Sequence, residues 1–68
     1  MNPEDKLVIY TLANIQKNNN MLDESKKNYI KLIQLDEKDE TNYVDLADVY
    51  VKEKKYDEAI LNYKKALS

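Results

Sequence analysis

The sequence lacks the residues on which most catalytic and cofactor chemistry depends. Its 68 residues include no histidine, no cysteine and no glycine, and all 11 basic residues are lysine. Without histidine and cysteine there is no zinc site of the usual kind, no cysteine nucleophile and no histidine base. Without glycine there is no phosphate-binding loop and no dinucleotide fingerprint. We therefore expect a protein that is not an enzyme and that holds no metal or cofactor.

The absence of cysteine also means that no disulfide stabilises this short chain. Its length allows one small domain, and such a domain buries only about 60% of the surface of its unfolded chain. Stability must therefore come from packing or from neighbours. The chain has 13 acidic residues against 11 lysines and a net charge of −2. That balance argues against nucleic acid or an anionic membrane as the partner.

Long apolar runs are missing as well. The longest spans residues 7–10, whereas a membrane-spanning helix needs roughly 20 apolar residues. Pro3, Glu4 and Asp5 stand where a secretory signal peptide would have a basic and then an apolar segment. We therefore expect a soluble chain that does not bind membranes and that lies in the cytoplasm.

What the sequence does have is helical periodicity. A single proline and the absence of glycine favour helix, and apolar residues recur at the i, i+3, i+4, i+7 spacing of one helix face. The spacing predicts four helices, near residues 3–17, 22–35, 40–53 and 56–67. The first would be capped by Asn2 and would have Pro3 at its first position. The residues predicted to face the core are Ile9, Leu12, Ala13, Gln16, Leu22, Ser25, Tyr29, Leu32, Ile33, Tyr43, Leu46, Ala47, Tyr50, Tyr56, Ala59, Ile60, Tyr63, Ala66 and Leu67.

The two halves of the chain resemble each other at a shift of 34 residues. Leu12 and Ala13 fall on Leu46 and Ala47, and Asn28-Tyr29 falls on Asn62-Tyr63, with no gap. A pair of helices that recurs at this period indicates a stack of helical repeats, because one pair cannot bury its apolar face alone. The predicted fold is therefore all-α, with two antiparallel helix hairpins stacked as consecutive repeats.

In these features the chain resembles the tetratricopeptide repeat family. The positions that carry the resemblance in the second repeat are Tyr43, Leu46, Ala47, Tyr50, Tyr56, Ala59, Tyr63, Ala66 and Leu67. Those in the looser first repeat are Ile9, Leu12, Ala13, Leu22, Ser25, Tyr29 and Leu32. Gln16 replaces the aromatic residue that is usual in the family. The resemblance implies a short right-handed α-solenoid with repeats at 6–39 and 40–68.

The turn within each repeat departs from the family pattern. Asn20 and Lys54 stand where the family usually carries a glycine in a left-handed conformation. Asparagine tolerates that conformation, whereas lysine at 54 should cost about 1 kcal/mol. In addition, residues 1–5 resemble the end of a preceding turn, and the second repeat lacks its closing turn. We therefore expect two repeats cut from a longer array.

The resemblance also implies a protein-interaction module that uses the first helix of each repeat. The positions that would line its concave groove are Leu7, Tyr10, Asn14, Lys17, Thr41, Val44, Asp48, Val51 and Lys52. The apolar members of this set would suit a helical or extended apolar peptide of a protein partner. The alternative is that some of them pack against each other or against a neighbour.

A subset of the family clamps the terminal carboxylate of chaperone tails with lysine and asparagine side chains. Asn14 fits that pattern, but Tyr10 replaces its lysine and Asp48 replaces its second asparagine. A carboxylate beside Asp48 would be repelled, so we do not expect this ligand.

A second hypothesis is self-assembly of a structural repeat fragment. A last repeat without a capping helix would expose an apolar flank that can stack on, or swap with, another copy as a dimer or larger oligomer. The residues assigned to this flank are Ile60, Leu61, Tyr63 and Leu67.

Overall fold

Residues 5–68 are described by the computed structural model, and they form four α-helices joined by short turns. The helices are α1 (Lys6–Asn18), α2 (Leu22–Leu35), α3 (Glu40–Lys52) and α4 (Tyr56–Leu67). The described range contains no strand, which confirms the all-α prediction. The predicted bounds of α2 and α4 are confirmed, and α3 ends one residue earlier than expected.

The start of α1 differs from the prediction. The helix begins at Lys6, and its cap is Asp5, whose carboxylate accepts a hydrogen bond of 2.9 Å from the backbone N–H of Leu7. Asp39 caps α3 in the same way, through a bond of 3.0 Å from the N–H of Thr41. Both caps satisfy backbone donors that the first helical turn leaves without partners. The expected cap at Asn2 and the proline after it lie outside the described residues.

The turns inside the two repeats share one geometry. Asn20 and Lys54 have φ values of 63° and 62°, in the left-handed region. The next N–H in each turn reaches back to the helix, from Met21 to the Gln16 carbonyl at 2.8 Å and from Lys55 to the Tyr50 carbonyl at 2.9 Å. This is the Schellman arrangement that ends many helices, and it brings each second helix back antiparallel to the first.

Consecutive helices pack together, so that α2 lies between α1 and α3. The central core combines residues from the first three helices: Ile9, Ala13, Tyr29, Leu32, Leu46 and Val49. The α2–α3 contact therefore joins the two hairpins into one apolar core.

Burial separates the middle helices from the outer ones, and here part of the predicted core is wrong. Leu12 is 45% exposed, whereas its counterpart Leu46 is 4% exposed, because α2 covers that side of α3 and no described element covers the same side of α1. Tyr56, predicted to face the core, is exposed on α4 for a similar reason. Conversely, Asn42 and Val49 are buried although they lie off the predicted stripes.

The left-handed conformation of Lys54 leads to a stability prediction. Replacing Lys54 with glycine removes the clash between Cβ and the backbone, so Lys54→Gly should raise the free energy of unfolding by about 1 kcal/mol. Thermal and urea denaturation followed by circular dichroism would measure the change. Lys54→Ala is the matched control, because it removes the charge but keeps Cβ, and its stability should stay near that of the parent. A glycine variant that melts at or below the parent temperature would contradict the prediction.

Candidate functional site

The first helices of the two hairpins, α1 and α3, lie side by side. The Lys17 ammonium and the Asp45 carboxylate join them at 3.6 Å, and both side chains are largely buried. Residues spaced by three or four positions share one helix face, and this spacing relates the groove positions predicted on each helix. We call the surface formed by these two stripes the α1–α3 face. Its predicted members are Leu7, Tyr10, Asn14 and Lys17 on α1, and Thr41, Val44, Asp48, Val51 and Lys52 on α3.

The exposed apolar residues of this face lie on both helices. Leu7 on α1, and Val44 and Val51 on α3, present their side chains to solvent. Tyr10 is half-buried and packs against the core. At one end of the face, between the start of α1 and the start of α3, a cavity of about 240 Å³ opens. Its lining residues are Lys6, Leu7, Tyr10, Leu32, Asp36, Asp39, Thr41 and Asn42.

Two tyrosine hydroxyls support the polar residues of the face from behind. Tyr29 on α2 donates to the Asn14 side chain, and Tyr63 on α4 donates to the Asp48 carboxylate. The second bond is the first one shifted by 34 residues. Asn14 and Asp48, which were predicted as groove residues, are thus each held by a hydrogen bond within their own hairpin. This fixes their rotamers before any ligand arrives.

Asp45 belongs to the same surface, although sequence reasoning missed it. Burial raises the pKa of the Asp45 carboxyl, against the lowering effect of the Lys17 ammonium beside it. That ammonium also lies 5.8 Å from the centre of the Tyr29 ring, within the range of a cation–π contact. Burial raises the pKa of Tyr29 above its ordinary value. The signal that could have identified Asp45 is its position three residues before Asp48, on the adjoining part of the α3 surface.

A second ion pair joins the two hairpins at the other end of α3. The Lys26 ammonium lies 2.9 Å from the Glu53 carboxylate and 5.4 Å from the centre of the Tyr50 ring. The hydrogen bond to Glu53 raises the pKa of Lys26. Both pairs, Lys17–Asp45 and Lys26–Glu53, thus connect the first hairpin to the second.

The residues predicted for self-association lie on the last helix. Ile60, Leu61 and Leu67 are exposed, whereas Tyr63 is half-buried through its contact with Asp48. Ile60, Tyr63 and Leu67 follow helical spacing and share one side of α4.

Two further searches covered residues 5–68 only. None of the helices there is both long enough and apolar enough to cross a membrane. No group of three or more acidic side chains in that range comes together in a way that could hold a metal ion.

The Tyr63–Asp48 hydrogen bond leads to a prediction about ionisation. The bond to the carboxylate raises the pKa of Tyr63 to about 12, because it holds the phenolic proton. Asp48→Asn removes the negative charge, so the Tyr63 pKa should fall toward its ordinary value of about 10. NMR titration of the tyrosine ring carbons would follow the change, and Asp57→Asn, on the first turn of α4, should leave it unaltered. An equal pKa in the parent and in Asp48→Asn would contradict the proposed cause.

The same bond fixes the sign of the pH dependence. A tyrosine whose pKa is raised by folding contributes stability below its unfolded pKa, and that contribution is lost as the pH rises through its folded pKa. The contribution of this bond to the free energy of unfolding should therefore disappear between about pH 10 and about pH 12 in the parent. In Asp48→Asn this alkaline decrease should be smaller.

Comparison with known proteins agrees with the repeat architecture. The tetratricopeptide repeat profile matches the chain twice, at residues 8–39 and 41–68. A search of curated proteins gave no match. Repeats of this kind mediate protein–protein interaction and are not catalytic. With two tandem matches that cover most of its length, the chain belongs to the tetratricopeptide repeat family.

Proposed function

We propose that the protein binds an apolar peptide or helix of a protein partner along the α1–α3 face. The observation that carries this proposal is the exposure of Leu7, Val44 and Val51 on a face whose polar groups have internal partners. Protein–protein interaction is the general role of the repeat family. The partner, in this proposal, covers the three apolar side chains.

The paired polar groups indicate which contacts give the ligand its affinity. Asn14 already accepts a hydrogen bond from Tyr29, and Lys17 already pairs with Asp45. A ligand therefore gains little from these groups and more from the apolar residues beside them. Full burial of one Val or Leu side chain contributes roughly 1.5–3 kcal/mol, which is tenfold or more in affinity.

Charge limits the kind of peptide that fits. A terminal carboxylate placed over Asp48 would meet a fixed negative charge that Tyr63 holds in position. A lysine or arginine side chain at the same place would be attracted. We therefore propose an apolar segment that carries no carboxylate opposite Asp48, and not a peptide held by its C-terminus.

A second candidate function is self-association through the outer side of α4. It is favoured by the exposure of Ile60, Leu61 and Leu67, three large apolar side chains on one twelve-residue helix. Tyr63 stands between them. Isolated exposed apolar residues are common on proteins, but contiguous ones mark interaction surfaces.

The groove proposal predicts the effect of Val51→Asp. A displayed library of random dodecapeptides would be selected against the parent protein, and the selected peptides titrated by fluorescence anisotropy. Val51→Asp places a charge among the apolar contacts and should weaken their binding at least tenfold, about 1.4 kcal/mol. The titration uses a protein concentration at which light scattering gives the mass of a single chain.

Ile30→Asp is the matched control for this substitution. Ile30 lies on α2 and is 41% exposed, close to the 40% of Val51. The two variants therefore introduce the same charge at equally exposed positions, and circular dichroism would verify that both are folded. The proposal fails if no peptide is selected, or if Ile30→Asp and Val51→Asp weaken binding equally.

A further inference from the structure

The contact between the two hairpins shows what kind of surface covers the side of α3 that faces α2. Asn42, Leu46 and Val49 of α3 are buried there. Their counterparts 34 residues earlier on α1 are Val8, Leu12 and Ile15. We call the corresponding surface of the first helix the α1 flank, formed by Val8, Thr11, Leu12 and Ile15.

The α1 flank is an apolar surface without a described neighbour. Ile15 is 53% exposed, whereas its counterpart Val49 is fully buried. A shallow cavity of about 410 Å³ runs along this surface. Its lining residues are Leu7, Val8, Thr11, Leu12 and Ile15. Within the chain, the equivalent surface of α3 is covered by α2, so a helix resembling α2 is the occupant that fits.

The α4 helix is the counterpart of α2, and its outer side is the second uncovered surface. Leu22 and Ile33 of α2 pack against the core, and their counterparts on α4 are Tyr56 and Leu67, both exposed. Ile60, the counterpart of Lys26, is 52% exposed. We call this surface the α4 flank, formed by Tyr56, Ile60, Tyr63 and Leu67. It contains three of the four residues in the self-association candidate.

The charges at the hairpin junction are replaced by uncharged residues at both ends of the stack, and in matching positions. At the junction, Lys26 of α2 pairs with Glu53 after α3. The counterpart of Lys26 on α4 is Ile60, and the counterpart of Glu53 after α1 is Asn19. If only one of the two had changed, docking would bury an unpaired charge, which costs several kcal/mol. Because both have changed, the two flanks can meet without one.

The second ion pair follows the same pattern. Lys17 pairs with Asp45 across the first helices. Shifted by 34 residues, Lys17 becomes Val51, and Asp45 has Thr11 as its counterpart on α1. A methyl-bearing pair thus replaces an ion pair at the position where α3 of one copy would lie beside α1 of another. Two independent charge pairs have been neutralised on both sides.

We propose that a second copy of this chain stacks head to tail, with the α4 flank of one copy on the α1 flank of the next. The register is the one in which α2 packs on α3. This inference rests on the self-association candidate and names its missing half, the α1 flank. The two surfaces differ, so the contact is heterologous, and each added copy leaves one flank of each kind uncovered. The assembly therefore grows with protein concentration.

The test uses two variants that block opposite flanks. Ile15→Glu places a charge on the α1 flank, and Ile60→Glu places one on the α4 flank, at positions with nearly equal exposure. Light scattering should show a mass that rises with concentration for the parent and stays near 8.0 kDa for each variant alone. An equimolar mixture of the two variants should give twice that mass and no more, because only one intact pair of flanks remains. Ile30→Glu, on α2, should assemble like the parent.

Other outcomes would overturn the inference in distinguishable ways. Assembly of Ile15→Glu alone would indicate pairing between two α4 flanks, which keeps self-association but excludes the head-to-tail register. Assembly of Ile60→Glu alone would indicate pairing between two α1 flanks and exclude it equally. A parent mass near 8.0 kDa at millimolar protein would exclude both this inference and the self-association candidate. None of these results bears on peptide binding by Val51, which is measured on single chains.

A charge exchange tests the register directly. Ile60→Lys alone should lose assembly, because the ammonium would meet the uncharged Asn19 of the next copy. Adding Asn19→Glu to the same chain recreates the Lys26–Glu53 pair of the junction, so assembly should return and should weaken in high salt. Failure of the double variant to assemble, while the parent does, would exclude this register.

Discussion

The position of α2 between α1 and α3 is the constraint on which the rest of the structure depends. A single hairpin of this length cannot enclose a core, and a chain of this size has little surface area to bury. The α2–α3 contact solves this by burying Leu46 and Val49 beneath the first hairpin. It also sets α1 beside α3, so the face with the exposed valines results from the same packing. The uncovered outer sides of α1 and α4 result from it too, because a stack of identical contacts has two ends.

The ion pairs at the hairpin junction explain the register of this contact better than its strength. Moving two charges out of water offsets much of their mutual attraction, so a buried pair adds little net stability compared with apolar packing. A slip of α2 along α3 would, however, separate Lys26 from Glu53 and leave both partly buried without a partner. Lys17 and Asp45 impose the same condition at a second point. Two pairs thus disfavour alternative registers that apolar side chains alone would tolerate.

The sequence was sufficient for the helices and for the fold class, because helical spacing and turn chemistry are local properties. It was insufficient where neighbours decide. Leu12 and Leu46 occupy equivalent positions, and only the packing of α2 makes one exposed and the other buried. The start of α1 was misplaced because an Asn-Pro pair precedes a second capping residue, Asp5, and local rules fit both. Asp45 was missed because its relation to Lys17 is a contact between helices, which periodicity within one helix does not contain.

The two proposed activities are coupled through the α1–α3 face. In a head-to-tail stack, α3 of one copy lies beside α1 of the next, so Val51 of the first approaches Thr11 of the second and the face continues across the boundary. A peptide long enough to contact both copies binds the stack and not the single chain. By linkage, such a peptide stabilises the assembly by the same free energy by which assembly tightens its binding. A short peptide that contacts one copy has no such effect. The length of the ligand, and not its apolar chemistry alone, therefore decides whether binding and assembly depend on each other.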